Sequence, residues 1–116
     1  MTLREKQSLF AELVSVLIVM ANDLGYAVTL GEAYRSPEEA ARLAKAGKGI
    51  KNSLHTQRLA IDLNLFRDGK YLTTTAAHRP LGEAWERLSQ PPAYECCWGG
   101  RFGDGNHYSI AHNGRR

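Results

Sequence analysis

The segment that most constrains the fold is an apolar stretch with one acidic side chain near its centre, residues 59–66. Its side chains alternate with the period of two that is typical of a β-strand buried on one face. The predicted faces are Ile61, Leu63 and Leu65 on one side, and Ala60, Asp62 and Asn64 on the other. A carboxylate among apolar neighbours is costly unless it is paired or binds a metal ion. Asp62 is therefore a candidate functional residue.

Three helices are predicted around this strand. The first is capped by Thr2, with Glu5 completing a capping box, and continues to Gly25. The second begins after Ser36, because a proline and two acidic residues follow in its first turn. The third is predicted at residues 76–89. Each has the spacing of apolar residues or the capping signals that a short amphipathic helix needs.

Further strands are predicted before and after the central one. Residues 26–34 alternate loosely, and Asp68-Gly69 is a turn signal that predicts a hairpin into residues 70–72. The glycine- and aromatic-rich tail is expected to hold short strands only. The chain has 116 residues, which allows one domain at 1–116. The order of elements predicts a small α+β domain, with an antiparallel sheet packed with about three helices.

Charge and cysteine content exclude several classes of protein. The net charge of +3 is spread evenly, so neither a basic arm nor the basic, aromatic stripe of a nucleic-acid-binding protein is visible. Cys96 and Cys97 are adjacent, which argues against a comfortable disulfide and for a reducing compartment. The longest apolar stretch, 13–21, is about half of the ~20 residues of a membrane span. It is interpreted as a core helix and not as a signal peptide.

Two histidines and a second acidic residue accompany Asp62. His55 lies just before the strand, and a glycine-containing turn brings Asp104 and His107 to the same side. Two imidazoles and a carboxylate would fit the protein ligands of a catalytic zinc ion, and Asp104 is then a candidate general base. The alternative is a structural hydrogen bond between histidine and aspartate, since these spacings form no short metal motif.

Three segments resemble one family of enzymes. Residues 53–62 read SLHTQRLAID, which is similar to the S-x-H-x-x-G-x-A-x-D signature of the zinc D-Ala-D-Ala carboxypeptidase and L-alanyl-D-glutamate endopeptidase superfamily. Residues 98–100 and 104–108 resemble its W-G-G and D-x-x-H-[FWY] motifs, and residues 34–36 its Y-R-[ST] segment. The resemblance spans residues 26–109 and is strongest to the short single-domain endolysins of bacteriophages. It implies the Hedgehog/DD-peptidase fold.

The resemblance also implies a role for each motif residue. Asp104 would be the general base and acid. Arg35 would polarise the scissile carbonyl or hold a substrate carboxylate, because its charge is permanent and its donors form a fork. Ser53 would hydrogen-bond the substrate or brace the first ligand. The implied cofactor is Zn²⁺, bound by His55, Asp62 and His107.

Several residues have plainer alternatives. Arg58 stands where the signature has glycine, so a bulky cation is expected near the cleft and the backbone loses the freedom of glycine. Arg35 could instead be a surface cation paired with Glu38 or Glu39. His78 is expected to face solvent, and His112 to lie in a disordered polar tail. The residues expected to pack as cleft walls are Trp98 and Tyr108.

The resemblance therefore predicts a zinc-dependent peptidoglycan peptidase acting on stem peptides, with the L-Ala–D-Glu bond expected because the chain is too short for a lid. The alternatives are D-Ala-D-Ala carboxypeptidase activity or a non-catalytic module that binds metal or cell wall. We expect a monomer without nucleic-acid partners or a membrane span. It would be made in the host cytoplasm and reach the wall after membrane permeabilisation.

Overall fold

The computed structural model describes residues 1–116 as an α+β fold. The helices are α1 (Leu3–Asp23), α2 (Pro37–Lys45) and α3 (Thr75–Glu86). The strands are β1 (Ala27–Leu30), β2 (Ala60–Arg67), β3 (Lys70–Leu72), β4 (Cys96–Trp98) and β5 (His107–Ile110). Two 3-10 helices precede β2 and β5, at Leu54–Gln57 and Gly99–Phe102. The predicted fold class, a small antiparallel sheet with three helices, is confirmed.

The predicted helix starts are confirmed by their caps. The Thr2 hydroxyl accepts a hydrogen bond from the Glu5 amide, and the Glu5 carboxylate accepts one from the Thr2 amide, which completes the capping box of α1. The Ser36 hydroxyl accepts from the amide three residues later and begins α2. Helix α3 ends at Glu86, three residues before the predicted end at 89.

Strand β2 lies at the centre of a sheet with the order β1-β2-β5-β4, and β3 is added beside β2. One edge of β2 pairs with β1, and the other edge pairs with β5 along its first residues and with β3 along its last. All of these pairs are antiparallel. The register places Asp62 directly opposite His107, the first residue of β5. The hairpin predicted at Asp68-Gly69 is confirmed, since it joins β2 and β3.

The core lies between the sheet and two helices. Leu63 and Leu65 of β2 are fully buried, whereas Asp62 and Asn64 between them are partly exposed, so the predicted alternation is confirmed. Trp85 of α3 is fully buried, and its indole N–H donates to carbonyls of both β4 and β5. The buried face of α1 is formed by Phe10, Leu13, Leu17 and Ala21. No helix of the chain is long and apolar enough to cross a membrane.

Strand β1 is shorter than the predicted strand at 26–34, because its pairing with β2 changes after Leu30. The Gly31 amide donates to the Asp62 carbonyl, and the Asp62 amide donates to the Glu32 carbonyl. Two residues therefore oppose one, as in a β-bulge, and such a bulge re-aims the side chains that follow it. A Cβ at Gly31 would lie 2.7 Å from the Asp62 carbonyl oxygen, so only glycine fits here.

Two histidines differ from their predicted positions. His78 was expected to face solvent, but it is 3% exposed and its Nδ1 lies 2.9 Å from the Tyr108 hydroxyl. It belongs to the inward face of α3, which it shares with Leu81 and Trp85. His112 was expected to be disordered, but it forms a bridge with Arg115 and its ring contacts the Lys6 ammonium. Its backbone partners hold this part of the tail in place.

Candidate metal centre

Three side chains from different elements converge at one end of β2. His55 comes from the 3-10 helix before the strand, Asp62 from β2 and His107 from β5. His55 Nε2 lies 3.3 Å and His107 Nδ1 lies 3.6 Å from the same oxygen, Asp62 Oδ1. The three potential ligand atoms all lie within 4.8 Å of one another. The structure thus brings together all three predicted ligands, which could hold a metal ion.

The surroundings of the imidazoles fit a metal site. His55 is 2% exposed and His107 is 7% exposed, so neither ring is freely hydrated. His55 Nδ1 lies 3.2 Å from the Ala33 carbonyl. When Nδ1–H donates to this carbonyl, the lone pair of Nε2 is available to a metal ion, which is the arrangement of a metal-binding histidine. Two imidazoles and one carboxylate are the donor set of catalytic zinc sites.

The electrostatics of the site favour a charged carboxylate at its centre. Burial opposes ionisation of Asp62, but hydrogen bonds and charge interactions with His107 and His55 outweigh it and lower the pKa of Asp62 to about 2. Burial likewise disfavours the imidazolium of His55, and the hydrogen bond and charge of Asp62 overcome this and raise its pKa. Asp62 therefore stays ionised throughout the physiological pH range, as a metal ligand must.

Asp104 lies beside the three candidate ligands, on the turn before β5. Its Oδ2 is 3.9 Å from His107 Nδ1, and its side chain is 54% exposed. Backbone hydrogen bonds from the Asp104 amide to the Gly99 carbonyl and from the His107 amide to the Asp104 carbonyl hold this turn. A Cβ at Gly99 would lie 2.3 Å from the Asp104 carbonyl oxygen, so the glycine allows this close approach. The turn was predicted, and it presents the carboxylate to solvent.

Arg35 points into the same site and is held by Glu32, which no sequence motif indicates. Its Nε donates to Glu32 Oε1 at 2.7 Å, and its side chain is only 13% exposed. The alternative of a surface pair with Glu38 or Glu39 is wrong, because Arg35 pairs with Glu32 and Glu39 pairs with Arg42. Glu32 belongs to the bulge opposite Asp62, and no local sequence signal places its carboxylate at the site.

Ser53 and Arg58 flank the first ligand on either side. Ser53 is buried, and its hydroxyl accepts a hydrogen bond from the His55 amide, which braces the ligand-bearing 3-10 helix. Arg58 ends this helix in the left-handed region, with φ of 56°, which is the conformation that glycine would adopt without strain. Its guanidinium lies 4.0 Å from the centre of the Tyr34 ring, so the predicted bulky cation is stacked on an aromatic face.

A cavity of about 440 Å³ opens at the three ligands. Three cationic side chains line it, namely Arg35, Lys48 and Arg116, together with Asp104. Ile50 and Phe102 are exposed at its walls and offer apolar surface to a ligand. Trp98 and Tyr108 were expected to form cleft walls, but they are buried behind the site and pack as core residues. We refer to this cavity as the charged arm.

Comparison with models of known protein families gives no match, and comparison with curated proteins gives none either. The resemblance described above therefore depends on the motif residues of this chain, at 34–36, 53–62, 98–100 and 104–108. What the fold adds is their position, because residues from all four segments lie at or directly beside the candidate metal centre.

Proposed function

We propose that this chain is a zinc-dependent peptidase that hydrolyses a stem-peptide amide bond of peptidoglycan, as short phage endolysins do. The observation that carries the proposal is the convergence of His55, Asp62 and His107 at one end of a cavity, with the solvent-accessible carboxylate of Asp104 beside them. The family motifs support the same conclusion, because every residue with an implied role lies at this centre.

Zinc is the metal that fits this donor set best, since nitrogen ligands and a single carboxylate suit it better than magnesium or calcium. When bound, it would supply a Lewis acid and lower the pKa of a bound water towards ~7. His55, Asp62 and His107 would hold it. The carbonyl of Ala33, which lies 3.2 Å from His55 Nδ1, would keep that ring in the correct tautomer.

Asp104 would move the protons of the reaction. Its carboxylate would accept a proton from the attacking water and later donate it to the nitrogen of the leaving amine. Asp62 cannot take this role, because it faces both imidazoles and its pKa is lowered to about 2. The two carboxylates therefore have different environments and different functions, one as a ligand and one as a base.

Arg35 would bind the oxygen of the scissile carbonyl or a carboxylate of the substrate. The ion pair with Glu32 orients the guanidinium, and burial of the side chain keeps it from moving freely into solvent. A donor that is oriented in advance stabilises developing negative charge without reorganising. Lys48 lines the same cavity and forms no ion pair of its own, so the charged arm suits a peptide that carries carboxylates.

The scissile bond that we propose is L-Ala–D-Glu, whose amine side carries the carboxylates of the stem peptide. A D-Ala-D-Ala carboxypeptidase is the second candidate, because Arg35 and Lys48 could also hold a terminal carboxylate. A non-catalytic module that binds metal or cell wall is less well supported, since such a module has no use for a base at the position of Asp104.

Digestion of purified peptidoglycan by the zinc-loaded protein tests the choice of bond. We expect mass spectrometry of the released fragments to show peptides that begin with D-Glu. Release of free D-alanine alone would identify the carboxypeptidase instead. Absence of any cleavage, with zinc bound at one equivalent, would contradict the enzymatic proposal altogether.

The role of Asp104 is tested by Asp104→Asn. We expect the variant to bind zinc and to unfold like the parent, while the rate of hydrolysis falls by about 10²- to 10⁴-fold, the usual contribution of a general base. The matched control is Asp68→Asn in the β2–β3 turn, where φ is 53° and asparagine is tolerated. Equal activity in Asp104→Asn and Asp68→Asn would refute the assignment.

A further inference from the structure

A second cavity lies beside the charged arm, and Asp104 lines both of them. It measures about 220 Å³ and is bounded by the segment before α3, by His78 and by the turn that leads into β5. We refer to it as the polar arm, defined by Thr73, Thr75, His78, Asn106 and Asp104. The proposed base therefore stands at the junction of two cavities of different chemistry.

The polar arm contains several polar groups that the protein itself does not use. The hydroxyls of Thr73 and Thr75 and the side-chain amide of Asn106 make no hydrogen bond within the chain, whereas the neighbouring Thr74 hydroxyl is occupied in capping α3. His78 bonds to the Tyr108 hydroxyl through Nδ1 only. The residue lines the cavity, and its Nε2 makes no hydrogen bond within the chain. Polar groups that converge on one cavity can fix the orientation of a ligand by hydrogen bonds.

The walls of the polar arm are held by packing. A Cβ at Gly105 would lie 2.6 Å from Thr75 Cα, so the turn before β5 touches the start of α3 directly. The Gly105 carbonyl accepts a hydrogen bond from the indole of buried Trp98 at 2.7 Å. Fixed walls allow hydrogen bonds to a ligand without a large cost of ordering.

The two arms differ in charge. The charged arm has the cations Arg35, Lys48 and Arg116 besides the carboxylates of Asp62 and Asp104, whereas Asp104 is the only ionised side chain that lines the polar arm. Burial lowers the pKa of His78, so its imidazole is neutral at neutral pH. An anionic ligand meets no cation in the polar arm and is repelled by Asp104, while an uncharged one with amide or hydroxyl groups finds both donors and acceptors there.

We propose that the polar arm binds the uncharged, amide- and hydroxyl-bearing part of the substrate on the acyl side of the scissile bond. This inference rests on the proposed function. At an L-Ala–D-Glu bond the carboxylates lie on the amine side, which matches the charged arm, and the acyl side ends in amide groups and a sugar. The substrate would thus extend past Asp104, with its amine side in the charged arm, its acyl side in the polar arm and the scissile amide between them.

Kinetics with two matched substrates test the proposal. Both carry the same stem peptide, with the L-Ala nitrogen acylated either by N-acetylmuramic acid or by acetate. The test variant is Thr73→Val combined with Thr75→Val, which keeps the side-chain shape and removes two unused hydroxyls. The control is Thr29→Val in β1, whose residue lines neither arm.

We expect kcat/KM of the double variant to fall by about 10-fold, as the loss of two modest hydrogen bonds implies. A loss with the muramoyl substrate alone means that the sugar occupies the arm, and a loss with both substrates means that the amide does. Unchanged kcat/KM with both substrates overturns the proposal. If the zinc-loaded parent hydrolyses neither substrate, the proposed function fails instead. A binding measurement with uncharged probes then tests whether the polar arm is a binding site.

Binding is measured with an uncharged probe, N-acetylmuramoyl-L-alanine amide, and with N-acetyl-L-alanine amide, added to the zinc-loaded chain. We expect amide resonances of residues 73–75 and 103–106 to shift on addition of at least one probe, and the double variant to bind that probe about 10-fold more weakly. Shifts confined to other parts of the chain, or equal affinity in the double variant, would show that the polar arm is not a binding site.

Discussion

Gly31→Ala is the substitution whose effect on the metal centre follows most directly from the geometry. The added Cβ would lie 2.7 Å from the Asp62 carbonyl oxygen and 3.0 Å from Asp62 Cβ, whereas ordinary contacts begin near 3.4 Å. The bulge must therefore separate from β2 by about 0.7 Å. Binding sites tolerate displacements of only about 0.5 Å, so the movement displaces a ligand and its supporting backbone together. We expect the free energy of unfolding to fall by about 1–3 kcal/mol, as for other overpacked sites.

The same movement should weaken zinc binding by about 10- to 100-fold, the usual effect of disturbing the support of a metal ligand. Calorimetric titration with Zn²⁺ measures the affinity, and denaturant unfolding in the presence of a chelator measures stability. Gly47→Ala is the control, because φ there is 74° and no atom lies within 4 Å of the added Cβ. It should lose about 1–2 kcal/mol of stability with unchanged zinc affinity. Parental zinc affinity in Gly31→Ala would refute the reasoning.

Three further predictions concern titration and the residue that replaces the motif glycine. Because the pKa of His55 is raised, its contribution to the stability of the metal-free chain is complete below pH ~6.5 and is lost as pH rises through the raised value. Zinc affinity should instead rise with pH, by about tenfold per pH unit below the raised pKa of His55, because one proton must leave this imidazole before zinc binds. Titration with Zn²⁺ at several pH values would measure this dependence. Burial lowers the pKa of His78, so the parent should lose stability as pH falls below ~6.5, and His78→Gln should show a smaller loss in chelator-treated unfolding experiments. Arg58→Gly relieves the left-handed strain of about 1–2 kcal/mol but removes the Tyr34 contact worth about 0.5–1 kcal/mol. Denaturant unfolding should therefore show equal or slightly higher stability, and a clear loss of stability would contradict this balance.

The parts of the fold that could be predicted are those set by local patterns. The alternation along β2 is a direct consequence of burying one face, and it located Asp62 on the open face. The caps at Thr2 and Ser36 satisfy amides within three residues, so sequence alone locates them. His78 could have been placed correctly as well, because Leu81 and Trp85 follow it at the spacing of one helical face, three and seven residues later.

The unpredicted features all depend on contacts between distant segments. Glu32 reaches Arg35 and the candidate ligands because a bulge opposite β2 changes the direction of the side chains at the end of β1. No local sequence pattern predicts that bulge. The polar arm exists because the turn before β5 touches the start of α3, about thirty residues earlier in the chain. Cavities and bulges formed between distant segments leave no local pattern in the sequence, whereas the candidate ligands could be predicted from residue types and their order.

The pairing of Asp62 with His107 across two strands links the metal centre to the alignment of the whole sheet. Sliding β2 by one residue against its neighbours would exchange its two faces, driving the carboxylate into the interior and an isoleucine or leucine towards the imidazoles. Such a misaligned chain could not chelate. Uptake of the proposed zinc ion would consequently report correct strand alignment, and it could be followed during refolding to time when the central strand reaches its native partner.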